Sequence, residues 1–174
     1  MELATNLDQE DDVSTLERAI EIAVDAHKGQ ADKAGSPYIL HPLRVMLSLD
    51  ASAPHDRIVG VLHDVPEDGF ARGWTLERIE AEGFAPEVIE ALKAVSKTDD
   101  EGPEDEAGEA KSARYLRFVA RAGAHPVGRR VKIADLKDNM DLSRIPSPTE
   151  KDYRRLAKYR RAVELLESLP AAGA

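Results

Sequence analysis

Apolar residues recur along this chain at three- and four-residue steps, the period that gathers side chains onto one face of an α-helix. Val13, Leu16, Ile20, Ala23, Val24 and His27 keep that step, and Ser14 stands three residues before Glu17, the spacing of a capping box. A first helix is expected over residues 14–28, with Val24 on its inward face. Residues 29–38 are polar and contain Gly35 and Pro37, so they read as a loop. Leu43, Val45, Met46 and Leu47 mark a second helix over 41–49, and Ile58, Val59, Val61, Leu62 and Val65 a third over 56–65. Pro66 cannot donate a backbone hydrogen bond, so it is placed at the end of that helix, with Glu67 and Asp68 on the turn to Gly69.

Two further helices are expected over 75–82 and 86–96, the latter with Pro86 in its first turn and Val88, Ile89, Leu92 and Val95 inward. The period breaks over 98–110. Seven residues there are acidic (Asp99, Asp100, Glu101, Glu104, Asp105, Glu106 and Glu109), and Gly102, Pro103 and Gly108 interrupt them, as in an acidic loop. Helical period resumes over 111–121 and 126–142. Ser147, Pro148 and Glu150 signal the start of a last helix that reaches residue 169. The expectation is therefore an all-α chain of about eight helices in a single domain over 1–174, with residues 1–12 a flexible N-terminus. Leu156, Tyr159, Val163 and Leu166 have the 3-4-3 spacing of a helix seam. Packing on the chain's own core explains them equally well, which leaves the oligomeric state open.

Composition narrows the function. The 33 acidic residues outnumber 24 basic ones for a formal charge of −9. No Lys/Arg stripe alternates with aromatic residues, so a nucleic-acid polymer is not expected as a partner. There is no cysteine, which excludes disulfides and thiolate metal sites. The start, MELATNLDQEDD, lacks the apolar core of a signal peptide, and no apolar run approaches membrane-spanning length. A soluble cytoplasmic protein with no membrane partner is expected.

Within that frame the octapeptide LHDVPEDG over 62–69 stands out. An ionised carboxylate in an apolar segment is costly without a partner, and a bound cation would remove the cost, so adjacent His63 and Asp64 read as metal ligands. On a continuous helix, His63 would share a face with Glu67, and Asp64 with Asp68. A second constellation lies in VKIADLKDNMDL over 131–142, where Asp135 sits among apolar residues with Asn139 one turn later. His41 in YILHPL is the third candidate. His41, His63, Asp64 and Asp135 together offer two imidazoles and two carboxylates. That set suits Mn, Fe, Co or Zn better than Mg or Ca, which favour oxygen-only shells.

The three stretches HKGQADKAGSPYILHP, LHDVPED and VKIADLKDN, in this order and at these separations, resemble the HD-domain hydrolases of the RelA/SpoT type, including their small single-domain members. The resemblance runs over about residues 14–165 and implies an HD-domain helical bundle. It implies that His41, His63, Asp64 and Asp135 hold one divalent ion, usually Mn. It implies that Glu67 and Asp68 flank the catalytic water, that Asn139 lies near the substrate's ribose and phosphate, and that Lys33 belongs to the substrate pocket. The implied reaction removes the 3′-pyrophosphate of guanosine tetra- or pentaphosphate. Charge for the remaining phosphates would come from Lys33, Lys97, Arg129, Arg130 or Lys132.

Two departures bear on the substrate. Asp32 stands where the long bifunctional members carry an arginine, which admits a different nucleotide, such as NADPH or a deoxynucleotide. Lys137 and Asp138 replace a Leu-His pair at positions expected to face away from the metal. A regulatory module with a vestigial site is the remaining alternative. His27 is expected to tie the first helix to the following loop by a hydrogen bond, and His55 and His125 to lie at the surface.

Overall fold

Helical period becomes helix wherever a cap or a proline gives it an end. The computed structural model describes residues 14–97 and 108–170, of 108–110 the backbone alone. The expectations for residues 1–13 and for most of the acidic stretch lie outside the described residues. Present are α1 (Leu16–Ala26), α2 (Leu40–Ser48), α3 (Pro54–Leu62), the single turn α4 (Val65–Asp68), α5 (Leu76–Glu80), α6 (Pro86–Val95), α7 (Gly108–Ala124), α8 (Pro126–Asn139) and α9 (Glu150–Ser168). Short 3-10 turns occupy Phe70–Arg72 and Leu142–Arg144. Among the described residues there is no strand, only an isolated bridge between Ala31 and Pro37. The fold is all-α, with the eight expected helices and one extra turn where α3 breaks.

The ends differ in detail from expectation. Thr15, not Ser14, caps α1, accepting from the Arg18 N–H at 3.3 Å, because its extended backbone aims the hydroxyl at the first turn. Ser14 instead donates to the Glu82 carbonyl at 2.6 Å. The capping box of α9 is Thr149 with Asp152 rather than the Ser147–Glu150 signal. Helix α7 starts at Gly108, inside the stretch read as loop, and α8 ends at Asn139 rather than at 142. Val24, read as inward, is 49% exposed, since α1 turns Ala19, Ile22, Ala23 and Ala26 towards α3 and α4 instead.

The break after α3 has a covalent cause. An uninterrupted helix would bond the N–H of residue 66 to the Leu62 carbonyl, and Pro66 has no N–H, so α3 stops at Leu62 and Pro66 opens a new turn. Pro66 therefore starts α4 instead of ending α3. His63 and Asp64 fall at the joint, where the Asp68 N–H still bonds the Asp64 carbonyl at 2.9 Å.

The core forms two apolar clusters, the larger of which flanks this joint through Leu62 and Val65. The larger joins Ile22 of α1, Val45 of α2, Val59 and Leu62 of α3, Leu92 of α6 and Val131 of α8. The smaller joins Phe118 and Val119 of α7, Leu136 of α8, and Ala162, Val163 and Leu166 of α9. Helix α8 contributes to both, and Asp135 lies between its two apolar contacts. That position explains how a carboxylate comes to be only 6% exposed.

Candidate metal centre and the cavity beside it

Three parts of the fold bring the four central side chains together. His41 comes from the first turn of α2, His63 and Asp64 from the joint after α3, and Asp135 from the third turn of α8. His41, His63 and Asp64 each offer a ligand atom within 4.8 Å of the others, a grouping that could hold a metal ion. The Nε2 atoms of His41 and His63 lie 3.5 and 3.2 Å from Asp64 Oδ2. The same two nitrogens lie 3.3 and 3.7 Å from Asp135 Oδ1. The structure thus gathers four residues separated by up to 94 positions.

Each imidazole is held by its other nitrogen. His63 Nδ1 donates to the Gly60 carbonyl at 2.8 Å, and His41 Nδ1 donates to Asp138 Oδ2 at 2.7 Å. Those bonds leave both Nε2 atoms facing the carboxylates as available lone pairs when the rings are neutral. His63 is 3% exposed, and its Nε2 has no aligned hydrogen-bond partner, although Asp64 is close. A buried polar atom without a partner is costly, and a cation among these four groups would satisfy it.

The electrostatics follow from the crowding of opposite charges. Burial opposes charge on His63, but the Asp64 and Asp135 carboxylates beside it outweigh burial and lift its pKa well above the ordinary imidazole value. His41 is raised in the same way, burial being overcome by Asp135 and Asp138. Asp64 and Asp135 are depressed below the ordinary carboxylate range against the effect of burial, Asp64 chiefly by His63 and Asp135 chiefly by Lys132. Tyr38 donates to Asp64 Oδ2 at 2.6 Å, and burial with that carboxylate drives its phenol far up.

Asp135 is tethered through both of its oxygens. Lys132 Nζ donates to Oδ2 at 2.8 Å, and Asn139 Nδ2 donates to Oδ1 at 2.5 Å. Lys132 was a sequence candidate for phosphate; the structure places it against Asp135 and over the Phe118 ring, 4.7 Å from its centroid. Asn139 keeps a place in the wall of the adjoining cavity.

The acidic pair on α4 is also anchored. Glu67 accepts from the Lys97 backbone N–H at 3.0 Å and from the Lys97 ammonium. Asp68 accepts from Gln30 Nε2 at 3.1 Å, and Gln30 in turn accepts from His27 Nδ1 at 2.7 Å, the expected tie between α1 and the loop. Gly69 lets this turn fold back on α1. A Cβ there would stand 2.7 Å from the Val65 carbonyl oxygen and 2.9 Å from Ala26 Cβ.

A cavity of about 350 Å³ opens beside His41, lined by Lys33, Tyr38, Arg44, Asp138, Asn139, Arg144 and Arg155 among others. Asp32 lies in its wall, where one carboxylate oxygen accepts the Ala34 and Ser36 N–H groups at 2.9 Å and shapes the loop. Arg129 is not brought to this cavity. Its guanidinium donates to the carbonyls of Gly123, Leu169 and Pro170. Arg130 is committed to the buried Asp56. His55 pairs with Glu87, and His125 caps α8 through its ring nitrogen.

The position read as facing away corrects the sequence account most. Asp138 reaches His41 and also accepts from Arg44 Nε at 2.7 Å and Arg144 Nη2 at 3.2 Å. Helical spacing offered a signal: Asp138 follows Asp135 by three residues and so shares its face. Lys137 does point outward, to Glu167. Arg44, Arg144 and Arg155 carried no sequence signal, since two are single arginines in ordinary helical patterns and Arg144 lies in the short link after α8.

Fold and site define an all-α protein with a candidate centre for a divalent ion. No family model matches the chain. It is 32% identical over 163 residues to a probable GTP pyrophosphokinase of Mycobacterium leprae, a match covering 90% of this chain and 19% of that protein. It is 36% identical over 92 residues to the bifunctional (p)ppGpp synthase/hydrolase SpoT of Escherichia coli, covering 52% of this chain and 12% of that one. A guanosine-3′,5′-bis(diphosphate) 3′-pyrophosphohydrolase of Aquifex aeolicus is 32% identical over 127 residues, 72% of this chain and 17% of its own length. The chain therefore spans less than a fifth of these curated relatives. Among solved structures, a metazoan ortholog of SpoT, described as hydrolysing ppGpp, superposes with a TM-score of 0.69 at 21% identity, over 90% of this chain and 88% of that one.

In sequence the chain is similar to part of these longer SpoT-type proteins, and it shares the fold of the metazoan SpoT ortholog. Among the described residues no helix is long and apolar enough to cross a membrane.

Proposed function

We propose that this chain hydrolyses a phosphorylated nucleotide, with release of the 3′-pyrophosphate of guanosine tetra- or pentaphosphate as the first reaction to test. The observation that carries the reading is the convergence of His41, His63 and Asp64 within 4.8 Å, with Asp135 Oδ1 beside both imidazoles. Two neutral imidazoles and two carboxylates carry a charge that balances one divalent ion, and the partnerless His63 Nε2 fits a ligand's role. These four residues would hold the ion, with Mn the first choice and Fe, Co or Zn alternatives. Such an ion lowers the pKa of bound water towards neutrality and neutralises phosphate oxygens.

The chain's own groups supply the rest. Glu67 and Asp68, anchored by Lys97 and Gln30, are the carboxylates to orient the attacking water and take its proton. Cleavage of the bond between phosphorus and the 3′ oxygen leaves that oxygen to be protonated as the nucleoside 5′-di- or triphosphate departs. Lys33 faces the cavity as a phosphate-binding cation, joined by Arg155, which also pairs with Asp152 at 3.5 Å, while Arg44 and Arg144 share the single Asp138 carboxylate. Asn139 in the cavity wall and Lys97, held against Glu67, are the remaining substrate contacts. We take the chain as one HD unit working in the cytoplasm, a reading supported by the way α8 serves both apolar clusters and by the nucleotide chemistry proposed for the site.

Asp32 favours a second reading. It adds a carboxylate to the cavity wall, which suits a substrate with fewer phosphates at that point, such as NADPH or a deoxynucleotide. Incubation with Mn and a panel of guanosine tetraphosphate, NADPH and deoxynucleotides, repeated with Asp64→Ala, separates these readings. Pyrophosphate from the tetraphosphate alone supports the first, and orthophosphate from NADPH the second. Metal binding without turnover of any substrate would refute both and leave a regulatory module.

A further inference from the structure

Asp138 is a half-buried carboxylate, 13% exposed in its side chain, on which three basic groups converge. His41 Nδ1 lies 2.7 Å from Oδ2, Arg44 grips both oxygens through Nε at 2.7 Å and Nη2 at 3.1 Å, and Arg144 Nη2 reaches Oδ2 at 3.2 Å and the Asp138 carbonyl. Two arginines on one carboxylate are more than its charge requires. They draw it from two sides, one from α2 and one from the 3-10 turn after α8, so that it has little freedom to rotate.

The consequence falls on His41. In water a neutral imidazole favours neither nitrogen strongly, whereas a carboxylate at Nδ1 keeps the proton there and frees Nε2. His63 obtains the same tautomer from a backbone carbonyl of its own helix. No comparable local acceptor serves His41, whose Nδ1 depends on a side chain 97 positions away. The Arg44–Asp138 pair also ties α2 to α8, so the contact that sets the tautomer sets the distance between His41 and Asp135 as well.

We propose that Asp138 is a positioning residue, clamped by Arg44 and Arg144, that fixes the tautomer and orientation of His41 and so presents Nε2 to the metal. This deepens the metal-site reading and rests on it only for the affinity arm of the test. Nitrogen-15 NMR of the imidazoles, on metal-free protein at a pH where His41 is neutral, reads the tautomer without metal. Wild type is expected to show the Nδ1–H form of His41, Asp138→Ala to lose it, and Asp138→Asn to retain it through the remaining carbonyl oxygen. Mn or Zn titration should then show affinity lowered about 10- to 100-fold in Asp138→Ala and less in Asp138→Asn, the range for loss of a ligand-orienting contact. Arg44→Gln, with Asp138 still present, should lower it by a smaller factor.

A His41 that is Nε2–H in the wild type would overturn the proposal, as would unchanged metal affinity in a folded Asp138→Ala. If the wild type shows the Asp138-dependent Nδ1–H form but binds no metal, the positioning role stands and the metal reading fails.

Discussion

Helices α2 and α3 carry the two imidazoles, and they cross at Gly60. A Cβ on residue 60 would stand 2.6 Å from Leu49 Cδ1 and 3.3 Å from Met46 Cα. The first atom is the movable end of a side chain; the second is backbone, and α2 must shift to accommodate it. Gly60→Ala is therefore a probe of the His41–His63 spacing. Overpacking of this kind costs roughly 1–3 kcal/mol, and we take about 2 kcal/mol, because Leu49 can yield and Met46 cannot. Alanine recovers about 1 kcal/mol of helix propensity, leaving a net loss of about 1 kcal/mol.

The larger effect is expected at the site. A shift of α2 by a few tenths of an ångström moves His41 relative to His63, whose Nδ1 is bonded to the Gly60 carbonyl itself. Divalent-metal affinity should fall about 10-fold, or about 1.4 kcal/mol. Urea denaturation gives the first quantity and competition with a chelating dye the second. Gly123→Ala on α7 is the control. Its Cβ would meet only the side-chain ends of Leu169 and Leu166, at 2.5 and 2.7 Å, so stability should change with no effect on metal. Wild-type metal affinity in Gly60→Ala, or an equal loss in Gly123→Ala, would refute the argument that this crossing sets the spacing.

Three further outcomes are expected. Without metal, the raised pKa values of His41 and His63 contribute stability that is complete below about pH 6.5 and lost as pH rises through their folded values. The depressed Asp64 and Asp135 contribute above about pH 3.9 and are lost in acid, so a melting temperature that stays flat from pH 6 to 9 would count against the cluster. Metal affinity should run the opposite way and rise with pH, since ligation requires neutral imidazoles. Arg130→Met strands Asp56, which is 2% exposed, and should cost about 2 kcal/mol in chemical denaturation. That is less than the roughly 3–5 kcal/mol of a fully enclosed pair, because the guanidinium is half exposed, and Asp56→Asn added to it should restore part of the loss. Lys97→Gln frees Glu67 and should lower kcat about 10-fold with metal affinity unchanged; an equal fall in both would mean that Lys97 supports the metal centre instead.

What the sequence by itself determined is what periodicity and local chemistry encode. Eight helices follow from residues three and four apart, and a candidate metal centre follows from polar groups set inside apolar stretches at His41, His63, Asp64 and Asp135. Both signals are local, since each needs only a few neighbouring residues. Tertiary structure decided what depends on distance through space. Pro66 was legible as an interruption, but only the fold shows that it opens a new turn and swings Glu67 towards Lys97. Arg129 and Lys132 look alike as cations in sequence, yet packing sends one to backbone carbonyls and the other to Asp135. Asp138 was read as facing away from the metal because a residue's own helix does not reveal which neighbour packs on it. The approach of α2 to α8 turns that aspartate into the partner of His41, and no pattern within either helix carries that information.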